Sequence, residues 1–165
     1  MGEEALKTEY ARFENHGDYQ LAVDRLLAQP GRELRIFDPD LAALRLNAAG
    51  RVAQLERFLQ ASRTRRIYFV LHEIDHVTRQ CPRMMALLAR FSHMIQINRT
   101  HEEIRNLQDT FLVLDAQHYV RRPVAGIFRG AIGLNDETEA LAMRGRFMEI
   151  WAASYPAVAS TMAGL

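Results

Sequence analysis

The feature that most constrains this chain is Ile67-Tyr68-Phe69-Val70-Leu71, five apolar, β-favouring residues without a polar break. A strand with no alternating polar positions must be covered on both faces, so the run predicts a central strand between layers of helix. Other strand-like segments surround it. Glu33-Leu34-Arg35-Ile36-Phe37 is closed by Asp38-Pro39-Asp40, where proline and two aspartates favour a turn. Met94-Ile95-Gln96-Ile97 and Phe111-Leu112-Val113-Leu114 follow, and Tyr119-Val120 begins another.

Helical patterns lie between them. Tyr19, Ala22, Val23, Leu26 and Leu27 share one helical face, with Asp18 as the expected N-cap. Val52, Leu55, Phe58 and Leu59 form a second face with Asn47 upstream as cap. Met84, Leu87, Leu88 and Phe91 form a third, opened by Pro82. The last places Met143, Phe147, Ile150, Trp151 and Ser154 on one side, capped by Asp136. Alternating strands and helices predict one α/β domain over residues 1–165, with a mostly parallel central sheet and helices on both faces. In such sheets ligands bind beyond the carboxyl ends of the strands, here Asp38, His72, Asn98 and Asp115.

Composition excludes several classes. With 48% hydrophobic and 25% charged residues, the chain is neither disordered nor fibrous. No apolar run approaches the roughly 20 residues that span a bilayer, and the acidic start lacks a signal-peptide core, so cytoplasm is the expected compartment. A single cysteine, Cys81, excludes an internal disulfide framework. The formal charge of +1 gives no general pull toward nucleic acid. Arginine supplies nearly all the basic charge, and Arg63-Thr64-Arg65-Arg66 reads as a solvated loop before a strand.

Local motifs narrow the chemistry further. His72-Glu73-Ile74-Asp75-His76 satisfies H-E-x-x-H, which on a helix could hold zinc with Glu73 as general base. Its context differs from that of a zinc hydrolase: it follows directly on a strand, Asp75 charges its interior, and Pro82 ends any helix after it. Neither G-x-G-x-x-G, a P-loop nor G-x-S-x-G occurs, and no cofactor is implied. Cys81, beside Pro82 and Arg83, fits a buried thiol better than an activated one.

From the fourth strand onward the chain resembles one half of a phospholipase D-type phosphodiesterase. That family carries H-x-K-x-x-x-x-D on a strand, and Gln108-Asp109-Thr110-Phe111-Leu112-Val113-Leu114-Asp115 has the same frame. Asn135-Asp136-Glu137, followed by a helix with Phe147 and Trp151, resembles the family's asparagine-acid segment and closing helix. The resemblance covers roughly residues 10–156 and implies the family's half-domain fold. In the family the histidine attacks phosphorus and the lysine neutralises phosphate oxygens. Gln108 and Thr110 stand at those positions, so only Asp115 matches. The family's glycine-serine after the next strand is also replaced, in the neighbourhood of Arg121-Arg122-Pro123 and Ala125-Gly126.

The resemblance thus implies a fold without its catalyst: a binding or scaffolding domain rather than an enzyme. Its remnant cleft would be lined by Asp38, His72, Asn98, Gln108, Thr110, Asp115 and Arg122. Arg121, Arg122 or Arg129 would offer a phosphate-bearing small molecule charge-assisted hydrogen bonds. Family enzymes pair two halves, so a homodimer or a second protein domain is the expected partner. Two rivals stand beside this reading: a zinc-dependent hydrolase using His72, Glu73 and His76, and a nucleic-acid-binding module built on the arginines, which the near-zero net charge disfavours.

Overall fold

The computed structural model describes residues 7–159. The elements run β1 (Glu9–Phe13), α1 (His16–Leu27), β2 (Glu33–Asp38), α2 (Ala49–Gln60), β3 (Arg66–Leu71), α3 (Asp75–Gln80) and α4 (Pro82–Arg90). They continue with β4 (Ile95–Thr100), β5 (Thr110–Leu114), β6 (His118–Arg122), β7 (Gly130–Leu134), α5 (Glu137–Ala152) and β8 (Ser154–Val158). The eight strands form one sheet in the order β1-β7-β6-β5-β2-β3-β4-β8.

The sheet is mostly antiparallel, which corrects the expectation of a mostly parallel one. Among the described residues only β2–β3 and β3–β4 pair in parallel. The pairs β1–β7, β2–β5, β4–β8, β5–β6 and β6–β7 are antiparallel. Connection length explains the parallel pairs and the β5–β6 hairpin. The parallel pairs are joined through helices α2 and α3–α4, whereas only Asp115, Ala116 and Gln117 separate β5 from β6. Three residues can turn a chain back but cannot carry it across a sheet.

Helices cover both faces. Leu34 and Ile36 of β2, Ile67, Phe69 and Leu71 of β3 and Leu112 of β5 face a layer built from α1, α2 and α4, with Val23, Leu55 and Met84 among the buried contacts. The opposite face presents Phe37, Val70, Phe111, Val113 and Tyr119 to α5, which inserts Ala140, Met143, Phe147 and Ile150. Such fully enclosed aromatic side chains contribute roughly 3 kcal/mol or more apiece. α5 packs on β2, β4, β5, β6 and β8, while α1 covers β1, β6 and β7 from the other side. One side of the β1–β7 end therefore stays open.

Helix starts differ in detail from the sequence pattern. Asn15, not Asp18, caps α1, its side chain accepting a hydrogen bond from the Asp18 amide at 2.8 Å. Asn47 does not cap α2; its side chain accepts from the Arg83 amide at 3.3 Å and ties that helix region to α4. Asp136 caps α5 as expected. Ser154, placed on the last helix by its spacing, begins β8 instead. No helix of the described residues is long and apolar enough to cross a membrane.

Candidate functional site

The polar side chains that the sequence assigns to one cleft separate into distinct places. Asp38, Thr110 and Arg122 come together. Thr110 begins β5 opposite Arg122 of β6, and Asp38 ends the neighbouring strand β2. The Thr110 hydroxyl lies 2.7 Å from Asp38 Oδ1 and 2.7 Å from the Phe37 carbonyl, donating across this row. Asp38 Oδ2 accepts from the amides of Leu41 at 2.7 Å and Asp40 at 3.2 Å. The Leu41 backbone supports this turn in the left-handed region at φ 70°.

Arg122 is enclosed rather than open to ligand, at 1% exposure. Its guanidinium lies 3.6 Å from Asp38 Oδ1 and 4.5 Å and 4.7 Å from the ring centres of Tyr19 and Phe128. It also donates to the Ala125 carbonyl at 2.5 Å. Its Nε and the Tyr19 hydroxyl have no hydrogen-bond partner among the described residues. Burial pushes the Asp38 carboxyl above its ordinary range, against the pull of its donors and of Arg122. Burial, reinforced by the Asp38 charge, pushes the Tyr19 phenol up to about 12. Gln108 lies in the loop just before β5; its side chain is exposed and its carbonyl accepts from the Ala125 amide at 2.7 Å.

His72 belongs to the other side of the sheet. Its ring packs edge-on against Phe37, 5.3 Å between centres. Nε2 donates to the Leu107 carbonyl at 2.9 Å, since a carbonyl can only accept, and Nδ1 lies 2.8 Å from the Thr100 hydroxyl. Asn98 lies within β4 and donates to Ser154 Oγ at 3.0 Å. Asp115 stands at the opposite edge of the sheet, where Oδ1 accepts from the amides of Arg32 at 3.0 Å and Glu33 at 2.9 Å. The antiparallel direction of β5 moves its carboxyl end to the amino end of β2, so Asp115 cannot share a cleft with Asp38.

The H-E-x-x-H string does not take the single-helix geometry that the zinc alternative requires. His72 follows the last residue of β3, whereas His76 lies on the six-residue helix α3, so the two do not share a helical face. Both ring nitrogens of His72 are engaged, and Glu73 pairs with Arg99 at 2.9 Å. Among the described residues no group of three or more His, Cys, Asp or Glu side chains could hold a metal ion. Cys81 is buried, and burial raises its thiol, which fits the inert reading.

A second place was not signalled by any motif. A cavity of about 690 Å³ opens over the β1–β7–β6 end on the α5 side. Tyr10, Arg12, Tyr119, Arg121 and Arg129 line it, with Asp136, Glu139 and Met143 from the α5 side. Tyr10 and Arg12 lie in Glu9-Tyr10-Ala11-Arg12-Phe13, whose two-residue alternation was the only available signal.

Residues 15–159 match the model of a family described as Domain of unknown function (DUF7931). No curated protein matches the chain. Among solved structures, TrmBL2, an archaeal chromatin protein whose structure shows a novel mode of DNA binding, superposes with a TM-score of 0.65 at 11% identity, over 90% of this chain and 54% of that one. The chain thus spans about half of TrmBL2. NucT from Helicobacter pylori gives 0.63 at 10% identity, covering 92% of this chain and 100% of NucT. Nuc from Salmonella typhimurium, a phospholipase D family member, gives 0.63 at 11% identity, covering 92% and 99%. At these identities the likeness is one of fold, and it bears out the phospholipase D-like architecture.

Proposed function

The chain belongs to the family of domain of unknown function DUF7931; from that premise we propose that it uses a phospholipase D-like fold for binding or scaffolding, not for phosphodiester cleavage. The observation that carries this reading is the sealed row Asp38–Thr110–Arg122. The resembled mechanism needs an imidazole and a cation side by side at the start of β5. The amide of Gln108 cannot become a covalent phosphoryl carrier, and the Thr110 hydroxyl is committed to Asp38 and the Phe37 carbonyl. The guanidinium of Arg122, paired across the strands with Thr110, is closed off beneath Tyr19 and Phe128. What would be a substrate pocket is filled by an internal ion pair.

In this reading the domain binds a phosphate-bearing ligand or a protein partner, and a second copy of the chain is the expected partner. A second reading, nucleic-acid binding, is favoured by the fold shared with the chromatin protein and opposed by the near-zero net charge. Incubation of the purified protein with bis(p-nitrophenyl) phosphate, with and without divalent metal, tests the central claim. Nitrophenol release should match buffer alone. Release that is abolished by Gln108→Ala or Thr110→Ala would overturn it. Sedimentation at micromolar concentration reads the oligomeric state, and a salt titration with labelled single-stranded DNA reads the second possibility.

A further inference from the structure

We propose that the open cavity over β1, β7 and β6 binds a small flat heteroaromatic ring carrying phosphate or carboxylate at one end and N–H donors at the other. This site is separate from the Asp38–Thr110–Arg122 row, and the proposal does not depend on whether that row is catalytically silent.

Strand register sets the chemistry of the site. Ala131 of β7 lies between Arg12 of β1 and Arg121 of β6. One step along, Gly133 lies between Tyr10 and Tyr119. These two cross-strand rows are parallel, on the same face and roughly 7 Å apart, two residues of extended chain. In the first row a methyl group separates two guanidiniums rooted roughly 10 Å apart, with Arg129 just beyond. That spacing leaves room for one anion above Ala131, reached by both arginine forks. None of Arg12, Arg121 and Arg129 makes a side-chain hydrogen bond or ion pair with another described residue, unlike Arg25, Arg51, Arg99 and Arg146.

The second row supplies a floor and an exposed ring. Tyr119 is buried at 4% exposure and lies across Gly133, where a Cβ would stand 2.3 Å from its ring, so the face open to a ligand ring is that of Tyr10. Tyr10 remains 61% exposed, and Val124 and Ile127 are exposed apolar side chains on the cavity wall. Beyond the tyrosines, Asp136 and Glu139 mark the far end, close enough that their charges help raise the Tyr119 phenol after the larger effect of burial. Asp136 Oδ1 is taken by the Glu139 amide at 3.3 Å as a helix cap, which leaves the Glu139 side chain as an acceptor for ligand N–H groups. Glu14 also borders the cationic row, and the three arginines outnumber it there. A ligand anionic at one end only, with a flat middle and donors opposite, matches this order of charges. The volume suits a ligand of a few hundred Å³.

Titration calorimetry of the whole chain with adenosine 5′-monophosphate, inosine 5′-monophosphate and inorganic phosphate tests the site. Adenosine monophosphate should bind most tightly, with inosine monophosphate weaker and phosphate weaker again. Arg12→Gln and Arg121→Gln should each weaken adenosine monophosphate at least tenfold. Ala131→Leu should block the anion position while leaving every arginine in place, and Glu139→Gln should remove the preference over the inosine form. Thermal midpoints within a few degrees of the parent verify that each variant folds. Binding untouched by Arg12→Gln, Arg121→Gln and Ala131→Leu, or no binding of any of the three compounds, overturns the proposal. Binding confined to single-stranded oligonucleotide, with a steep loss in salt, overturns it in favour of a nucleic-acid groove.

Discussion

Removing the Arg122 guanidinium should produce a protein whose stability deficit is greatest at neutral pH. Asp38 and Arg122 face each other at 3.6 Å with 2% and 1% of their side chains exposed. In Arg122→Ala the Asp38 carboxylate loses its only close cation among the described residues and keeps three hydrogen bonds, from Thr110, Leu41 and Asp40. Breaking one side of a buried pair costs about 3–5 kcal/mol, and this range covers the lost contacts with the Tyr19 and Phe128 rings. For a chain of this size each kcal/mol is worth about 2–4 °C in melting temperature, so the midpoint at pH 7 should fall by roughly 6–20 °C.

The pH dependence carries the sharper test. Burial already raises Asp38 above the ordinary value of 3.8, so the folded state holds this proton more tightly than the unfolded chain. Its contribution is most favourable below 3.8 and is lost as pH rises through the folded value. Without Arg122 the folded value rises further and the loss grows. The gap between variant and parent should therefore narrow as pH falls from 7 toward 4.5, even as both lose stability through their other carboxylates. Thermal melts across that range measure it, and Asp38→Leu with Arg122→Leu should regain most of the deficit. A gap that stays constant, or widens in acid, refutes the assignment of Asp38 as a buried charge held by Arg122.

Three further outcomes follow from other contacts. Arg51, 7% exposed, donates to Asp24 at 2.7 Å, Gln20 at 2.6 Å, Gln54 at 2.9 Å and the Leu44 carbonyl at 3.2 Å, so Arg51→Ala should cost about 3 kcal/mol in urea unfolding; a loss under 1 kcal/mol would mean water replaces the network. Gly133→Ala should cost about 1–3 kcal/mol by driving a methyl into Tyr119, with a shifted near-ultraviolet tyrosine signal as its mark. Asp115 sits at φ 52° and accepts two backbone N–H groups; Asp115→Ala should cost about 2 kcal/mol, and Asp115→Asn, which keeps both the acceptor and the tolerance for this backbone, well under half of that.

The strands legible in the sequence are those buried on both faces, β2, β3, β5 and much of β4, because their apolar runs admit no other reading. β1, β7 and β8 were not legible, each for a different reason. β1 buries only Phe13 among its five residues, so its pattern is that of a surface segment. β7 reads Gly-Ala-Ile-Gly-Leu, poor in β-formers, and Gly133 is needed there because Tyr119 occupies the space over it. β8 carries Pro156, tolerated at a sheet edge where one side of the backbone has no partner strand. Strand direction was misjudged although the three-residue link between β5 and β6 already implied a hairpin. That one error misplaced Asp115. Asp38, Thr110 and Arg122 were each legible as polar residues at strand ends, but their enclosure was not. It depends on Tyr19 and Phe128, over a hundred residues apart, closing over one guanidinium.

The pairing of β1 with β7 sets an order of assembly. β5, β6 and β7 follow one another through short connections and can zip as a local meander, whereas β1 pairs with residues more than a hundred positions away, from Phe13–Gly130 to Glu9–Leu134. β1 is therefore expected to dock last, and hydrogen exchange should find its edge amides opening before those of β6. The arginine row over Ala131 comes into being only with that docking, since Arg12 arrives on β1. A ligand seated there would slow deuterium uptake in Glu9–Phe13 first, making the last strand to assemble the most sensitive reporter of occupancy.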